Sequence, residues 1–148
     1  MSVNTDKQTE EATPTYLRGG DSALADYYPA WLDDLADDVT LEGSMMDGAV
    51  QGPDAVRAVL VAIRSLYDEQ EFHFAGPFGE NGFLEDYTAR VGGETIGNYT
   101  VITRNAAGQT QHIVGNYRPR SALLLLSRLI GEHFAGTPYA EHFATGGD

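Results

Sequence analysis

The strongest β pattern in the chain runs from Glu94 to Arg118. Gly97 to Thr103 and Gln109 to Tyr117 are rich in β-branched and aromatic residues, as strands require. Between them, Asn105-Ala106-Ala107-Gly108 reads as a turn, with Asn in the first position and Gly supplying a positive φ. Upstream, Leu24, Tyr28, Trp31 and Leu35 recur at helical spacing within Asp21–Asp38. Pro29 interrupts that stripe, which predicts two short helices meeting near Tyr28 rather than one rod. Val39 to Gln51 reads as extended, with Val39, Leu41 and Met45 inward. Gly52-Pro53-Asp54 then opens a helix over 53–68, because proline suits the first helical position and an early acid complements the dipole. Val56, Val59, Leu60, Ile63, Leu66 and Tyr67 form its apolar face.

Two further strands follow, Glu71–Gly79 and Phe83–Val91, separated by Glu80-Asn81-Gly82. After the hairpin, Arg118-Pro119-Arg120 stops the ribbon and Ser121 can cap a last helix, Ala122 to His133. Leu123, Leu124, Leu125 and Leu126, with Leu129 and Ile130, surround more than one face of it, so it needs cover from the sheet and from a second subunit. Strands segregated from helices give an α+β class. The division is a mobile polar tail over 1–20, one domain over 21–135 that includes the last helix, and a short C-terminal tail over 136–148.

A chain of 148 residues with 42% hydrophobic content suits one core. It contains no cysteine, so disulfides and thiolate metal sites are unavailable. No signal-peptide pattern opens it, and the longest apolar run, Ala122–Leu126, is far short of a bilayer span. A cytoplasmic location is the expectation. Net charge is −13, and the only lysine is Lys7. That charge disfavours nucleic acid and anionic membranes as partners.

Candidate chemistry is sparse. Tyr87, Tyr99 and Tyr117 lie in neighbouring strands, where phenols either orient a ligand oxygen or serve as core aromatics. Asn98, Thr100 and Asn116 are polar residues in strands that should be covered, which predicts a polar-lined pocket or a wetted interface. Asp86 and Arg90 share a strand face and suit an ion pair. Asp33, Asp34, Asp37 and Asp38 mark a helix end and a solvated face; a metal site would need them to converge. Glu132-His133 and Glu141-His142 repeat at a spacing that fits no standard zinc pattern. No phosphate loop, nucleophile elbow or His-Glu-x-x-His helix is present. We therefore assign no metal and no cofactor.

Leu35-Ala36-Asp37-Asp38-Val39-Thr40-Leu41-Glu42, followed by Gly52-Pro53-Asp54-Ala55-Val56-Arg57-Ala58-Val59-Leu60, resembles the nuclear transport factor 2-like superfamily, particularly its SnoaL-like branch. The resemblance covers 21–119 and implies a cystatin-like cone. In that cone a curved antiparallel sheet wraps around helices, encloses an apolar pocket and commonly dimerises through its outer face. It also implies where catalytic groups would fall. The steroid isomerases' base maps to Gly43, directly after Glu42, and their second acid to Thr100. The epoxide hydrolases' charged strand maps to Glu85-Asp86-Tyr87, and their last acid to Gly115. Those groups are missing. Phe72-His73-Phe74-Ala75-Gly76 is similar to the histidine-bearing strand of scytalone-dehydratase-like proteins, which maps a catalytic histidine onto His73 and a second one near Tyr87.

The resulting expectation is a small-molecule-binding domain, acting either as a cofactor-independent lyase or isomerase on a hydrophobic ring compound or as a non-catalytic binding or dimerisation module. If it is an enzyme, His73 and Tyr87 move the proton. Asn98, Thr100 and Ile102 face Ile113, Gly115 and Tyr117 in the pocket. Trp31 and Tyr28 form the opposite wall, and Tyr67 contributes from the helix end. Gly115 is expected to leave room for the ligand.

Overall fold

The computed structural model describes residues 27–143. The expected tail over 1–20, Leu24, and the last residues of the C-terminal tail lie outside them. A 3-10 turn, Ala30–Asp33, leads directly into strand β1, Leu35–Gly43. The helix expected to run through Asp38 is therefore a strand from Leu35 onward. The reason lies in the pairing of β1 with its neighbour. Its register shifts between Leu35 and Thr40, and both Asp37 and Asp38 face solvent. Such a bulge breaks strict alternation and produces a spacing that mimics a helical stripe.

Strand β2, Val50–Gln51, returns against β1, and helix α1 occupies Pro53–Leu66 with Asp54 in its first turn. Strand β3, Tyr67–Phe78, starts at the residue after α1, so Tyr67 and Asp68 are strand rather than the predicted helix end. Strands β4 (Gly82–Val91), β5 (Glu94–Arg104) and β6 (Thr110–Arg118) form an antiparallel meander with β3. Helix α2, Arg120–His133, follows, starting after Pro119 without a side-chain cap from Ser121. A second 3-10 turn, Pro138–His142, docks on the loop after β1 through Asp47 N–H to the His142 carbonyl at 2.7 Å.

The six strands order as β2-β1-β6-β5-β4-β3 in a curved sheet. The sheet is mixed, not wholly antiparallel, because β1 runs parallel to β6. The β5–β6 turn forms as the sequence predicts. Asn105 Oδ1 accepts from the N–H groups of Ala107 (3.0 Å) and Gln109 (2.9 Å), and Gly108 has φ +84°.

Cross-strand register sets the concave face in rows. Phe72, Tyr87, Asn98 and Tyr117 make one row; Ala75, Glu85, Thr100 and Gly115 the next; Phe83, Ile102, Ile113 and Leu41 a third. Val56, Val59 and Ile63 of α1, with Ala122, Leu126 and Ile130 of α2, are buried in the same core as the sheet's Ile96, Ile102 and Ile113. Each large side chain so buried contributes about 1.5–3 kcal/mol. Leu124, on the far side of α2, is 49% exposed.

Candidate functional site

Between α1, the entry segment and the concave face lies a cavity of about 70 Å³. Pro29, Trp31 and Leu32 close it from the entry segment, and Leu60, Ile63 and Arg64 from α1. The sheet supplies Phe72, Glu85, Tyr87, Thr100, Ile113 and Tyr117, with Tyr67 from the start of β3. The hairpin face expected from the sequence is the one turned inward. The register shift of the β5–β6 pair falls at Thr103/Arg104, beyond the site, so the two arms keep matched parity across it.

Glu85 is the unforeseen centre of this cavity. Its side chain projects from β4 on the face shared by Phe83, Tyr87, Ala89 and Val91, and the residue is only 3% exposed. Oε2 accepts from Trp31 Nε1 at 2.8 Å and from the Tyr27 hydroxyl at 2.5 Å. Oε1 makes no hydrogen bond among the described residues. Burial raises the pKa of this carboxyl above the usual range, while the donors Tyr27 and Trp31, and the charge of Arg64, act in the opposite direction. An alternating strand that reads Phe-x-Glu-x-Tyr-x-Ala-x-Val places a charge on its apolar face, and that is the sequence signal for Glu85.

Tyrosine hydroxyls gather beside it. Tyr67 and Tyr87 share a hydrogen bond of 2.8 Å, their rings meet at 68°, and Tyr117 interacts with both. Burial lifts all three phenols well above their ordinary pKa, with their mutual electrostatics a secondary cause. They remain neutral donors at any physiological pH. Asn98, between Tyr87 and Tyr117 in its row, is fully buried and donates Nδ2–H to Thr100 Oγ1 at 2.5 Å. Its Oδ1 has no hydrogen bond among the described residues, and an orphan of this kind costs about 1–3 kcal/mol.

Other expected residues sit elsewhere. His73 lies on the opposite face of the sheet, with Nε2 3.0 Å from Thr88 Oγ1, and does not meet Tyr87 in the cavity. The register of β3 shifts between Phe72 and Phe74, so the two phenylalanines do not share a face. Phe72 enters the cavity, whereas the Phe74 ring lies over Gly76. Tyr28 is 57% exposed and bonds Asp33 instead of forming a wall; Trp31 does form one. Ile102 packs beneath the cavity without lining it. The space beside Gly115 is taken by the Tyr117 ring, whose Cε1 would lie 2.7 Å from a Cβ built there. Gly115 does line the cavity, but the room its missing side chain leaves is filled by that ring. Among the described residues, no cluster of three carboxylates or imidazoles could hold a metal ion, and no helix is long and apolar enough to cross a membrane.

No family model and no curated protein matches the chain. Solved structures do. An uncharacterized protein from Silicibacter pomeroyi DSS-3 with a cystatin-like fold superposes with a TM-score of 0.66 at 21% identity, over 72% of this chain and 74% of that one. The fold is cystatin-like. A steroid delta-isomerase from Pseudomonas aeruginosa superposes with a TM-score of 0.65 at 19% identity, over 81% of this chain and 83% of that one. A nuclear transport factor 2-like protein of unknown function from Burkholderia xenovorans LB400 gives 0.52 at 14% identity, over 72% and 90%. At these identities the likeness is one of fold, and within this cystatin-like fold the chemistry rests on the chain's own residues.

Proposed function

We propose that this cystatin-like protein is a small-molecule-binding domain whose ligand is enclosed between α1 and the sheet, with its polar group anchored at Glu85. The observation that carries this reading is the buried Glu85 carboxyl, whose Oε1 has no partner among the described residues in a largely apolar, aromatic-walled cavity. Isolated carboxyls are costly to bury. Trp31 and Tyr27 satisfy one oxygen and tie the entry segment to β4, but the second has no partner among the described residues, a cost that a donor on a ligand would offset. The cavity of about 70 Å³ supports a compact ligand and not a fused polycyclic one.

A second reading, lyase or isomerase chemistry, is favoured by the raised pKa of Glu85 beside neutral tyrosine donors. A carboxyl tuned upward by burial is a better proton acceptor near neutral pH, and adjacent phenols can donate to a developing oxyanion. In this reading Glu85 replaces His73 as the group that moves the proton. Tyr87, one of the two residues expected to move it, now serves as a donor.

The reading also includes a homodimer formed through the convex face, supported by its outward Phe78, Tyr99 and Val101. A cytoplasmic location completes it, on the acidic, cysteine-free composition alone. The test is a thermal-shift screen of compact ligands on wild type and on Glu85→Gln. Ligands that stabilise the first and lose that effect in the second support the site. A set that stabilises both equally removes Glu85 from it.

A further inference from the structure

The walls of the cavity constrain the charge of what it takes. Trp31, Tyr67, Phe72, Tyr87 and Tyr117 line it, and the Tyr67 and Phe72 rings each meet Tyr87 at a steep angle instead of stacking. Tyr67 and Tyr87 have centroids 5.7 Å apart at 68°, and Phe72 and Tyr87 5.2 Å apart at 58°. Rings arranged in this way make the sides of a box. One carboxyl sits in that box, held at Oε2 by Trp31 and Tyr27 and without a partner at Oε1 among the described residues. Arg64 is the cation whose charge reaches Glu85, yet it stays exposed at the rim and forms no ion pair with it. A polar hollow of about 270 Å³ adjoins the cavity and adds the acids Asp68 and Glu69 to that rim.

We propose that the ligand is a small organic ammonium ion, a primary or methylated amine whose nitrogen rests against Glu85 inside the aromatic box. The inference deepens the small-molecule reading above and depends on it. Aromatic faces carry negative potential and attract ammonium groups, most strongly where water is excluded. The free carboxylate oxygen supplies the opposite charge that a neutral ligand would leave missing, and an anionic ligand would be repelled by it. The net charge of −13 and the acids of the adjoining hollow raise the local concentration of cations. The volume suits a nitrogen bearing methyl groups or a short chain. Arg64 opposes this attraction and limits the affinity.

The experiment compares choline with 3,3-dimethylbutan-1-ol, its uncharged carbon analogue, by calorimetry and thermal shift on the full chain at fixed ionic strength. Choline is expected to bind wild type about ten-fold or more tightly than the alcohol. Glu85→Gln keeps a side-chain oxygen for Trp31 and Tyr27; it should lose most of the choline affinity and leave the alcohol's unchanged. Phe72→Leu removes one ring and should weaken choline about three-fold or more without weakening the alcohol. Arg64→Gln should tighten choline. Choline binding Glu85→Gln as well as wild type overturns the inference. The alcohol binding wild type as tightly as choline also overturns it while leaving the small-molecule reading in place. Failure of choline, the alcohol and every compact ligand in the screen removes both.

Discussion

On the concave side of the sheet, Ile96, Ile102 and Ile113 are fully buried beneath α1 and α2. One residue along the same strands, Tyr99, Val101 and Val114 point outward, and Tyr99 is 44% exposed with the Arg118 guanidinium over its ring. Both faces carry β-branched and aromatic side chains, so composition alone does not separate them. Helices do, because both lie on one side. The concave face therefore holds the monomer together, whereas apolar residues on the convex face contribute little to a single chain and are the ones left for the proposed partner. The same division sorts the polar groups. Glu85 and the tyrosine hydroxyls are enclosed, while His73 with Thr88, and His112 with Thr40 and Glu42, face outward.

The largest expected difference between the faces is in stability. Ile63→Ala or Ile113→Ala should cost about 2–4 kcal/mol, read as a lower urea midpoint, whereas Val101→Ala should cost under about 1 kcal/mol in the monomer. Equal losses on both faces would break the distinction. Next comes association. Tyr99→Asp with Val101→Asp should weaken the dimer at least about ten-fold, with circular dichroism unchanged. Sedimentation of wild type as a monomer at micromolar concentration would leave the convex face without its proposed partner.

A smaller effect sharpens the account of Glu85. Burial holds its folded pKa above the unfolded value, so the folded state keeps the proton longer. The stability carried by that proton is complete below the unfolded pKa, near ~4.3, and is lost as pH rises through the raised folded value. Glu85→Gln lacks this loss. Its melting temperature should match wild type near pH 4 and rise above it as the pH increases toward 8. A gap that stays constant with pH would mean that the carboxyl is not held against ionisation. Smallest of all is His73→Ala, expected to change stability by about 0.5 kcal/mol or less and ligand affinity not at all. A ten-fold loss of affinity in that variant would return the histidine to the site.

What the sequence made readable was local. The β5–β6 turn is specified by Asn105 and Gly108 within a few residues, and α1 by Gly52-Pro53-Asp54 and an apolar face. The start of β1 was not readable, because a strand bulged at Asp37 and Asp38 carries a helix-like spacing, and only pairing with β6 shows its extended state. His73 was misplaced for a related reason. A register shift in β3 decides which side chains turn inward, and the partner strand fixes its position. Glu85 was legible in principle as an acid on the apolar parity of β4. Its bonds to Tyr27 and Trp31 span 58 and 54 residues of sequence, and no local pattern announces them.

Because the Tyr117 ring fills the space that a side chain at 115 would need, the two positions cannot drift separately. A methyl group at 115 meets an aromatic carbon already in place, and a smaller residue at 117 strips the cavity of one wall and one hydroxyl. Any lineage that reshapes this pocket must pass through paired changes or tolerate an intermediate that is either overpacked or hollow. The shape of the cavity is thus guarded by a sterically locked pair, one member of which has no side chain.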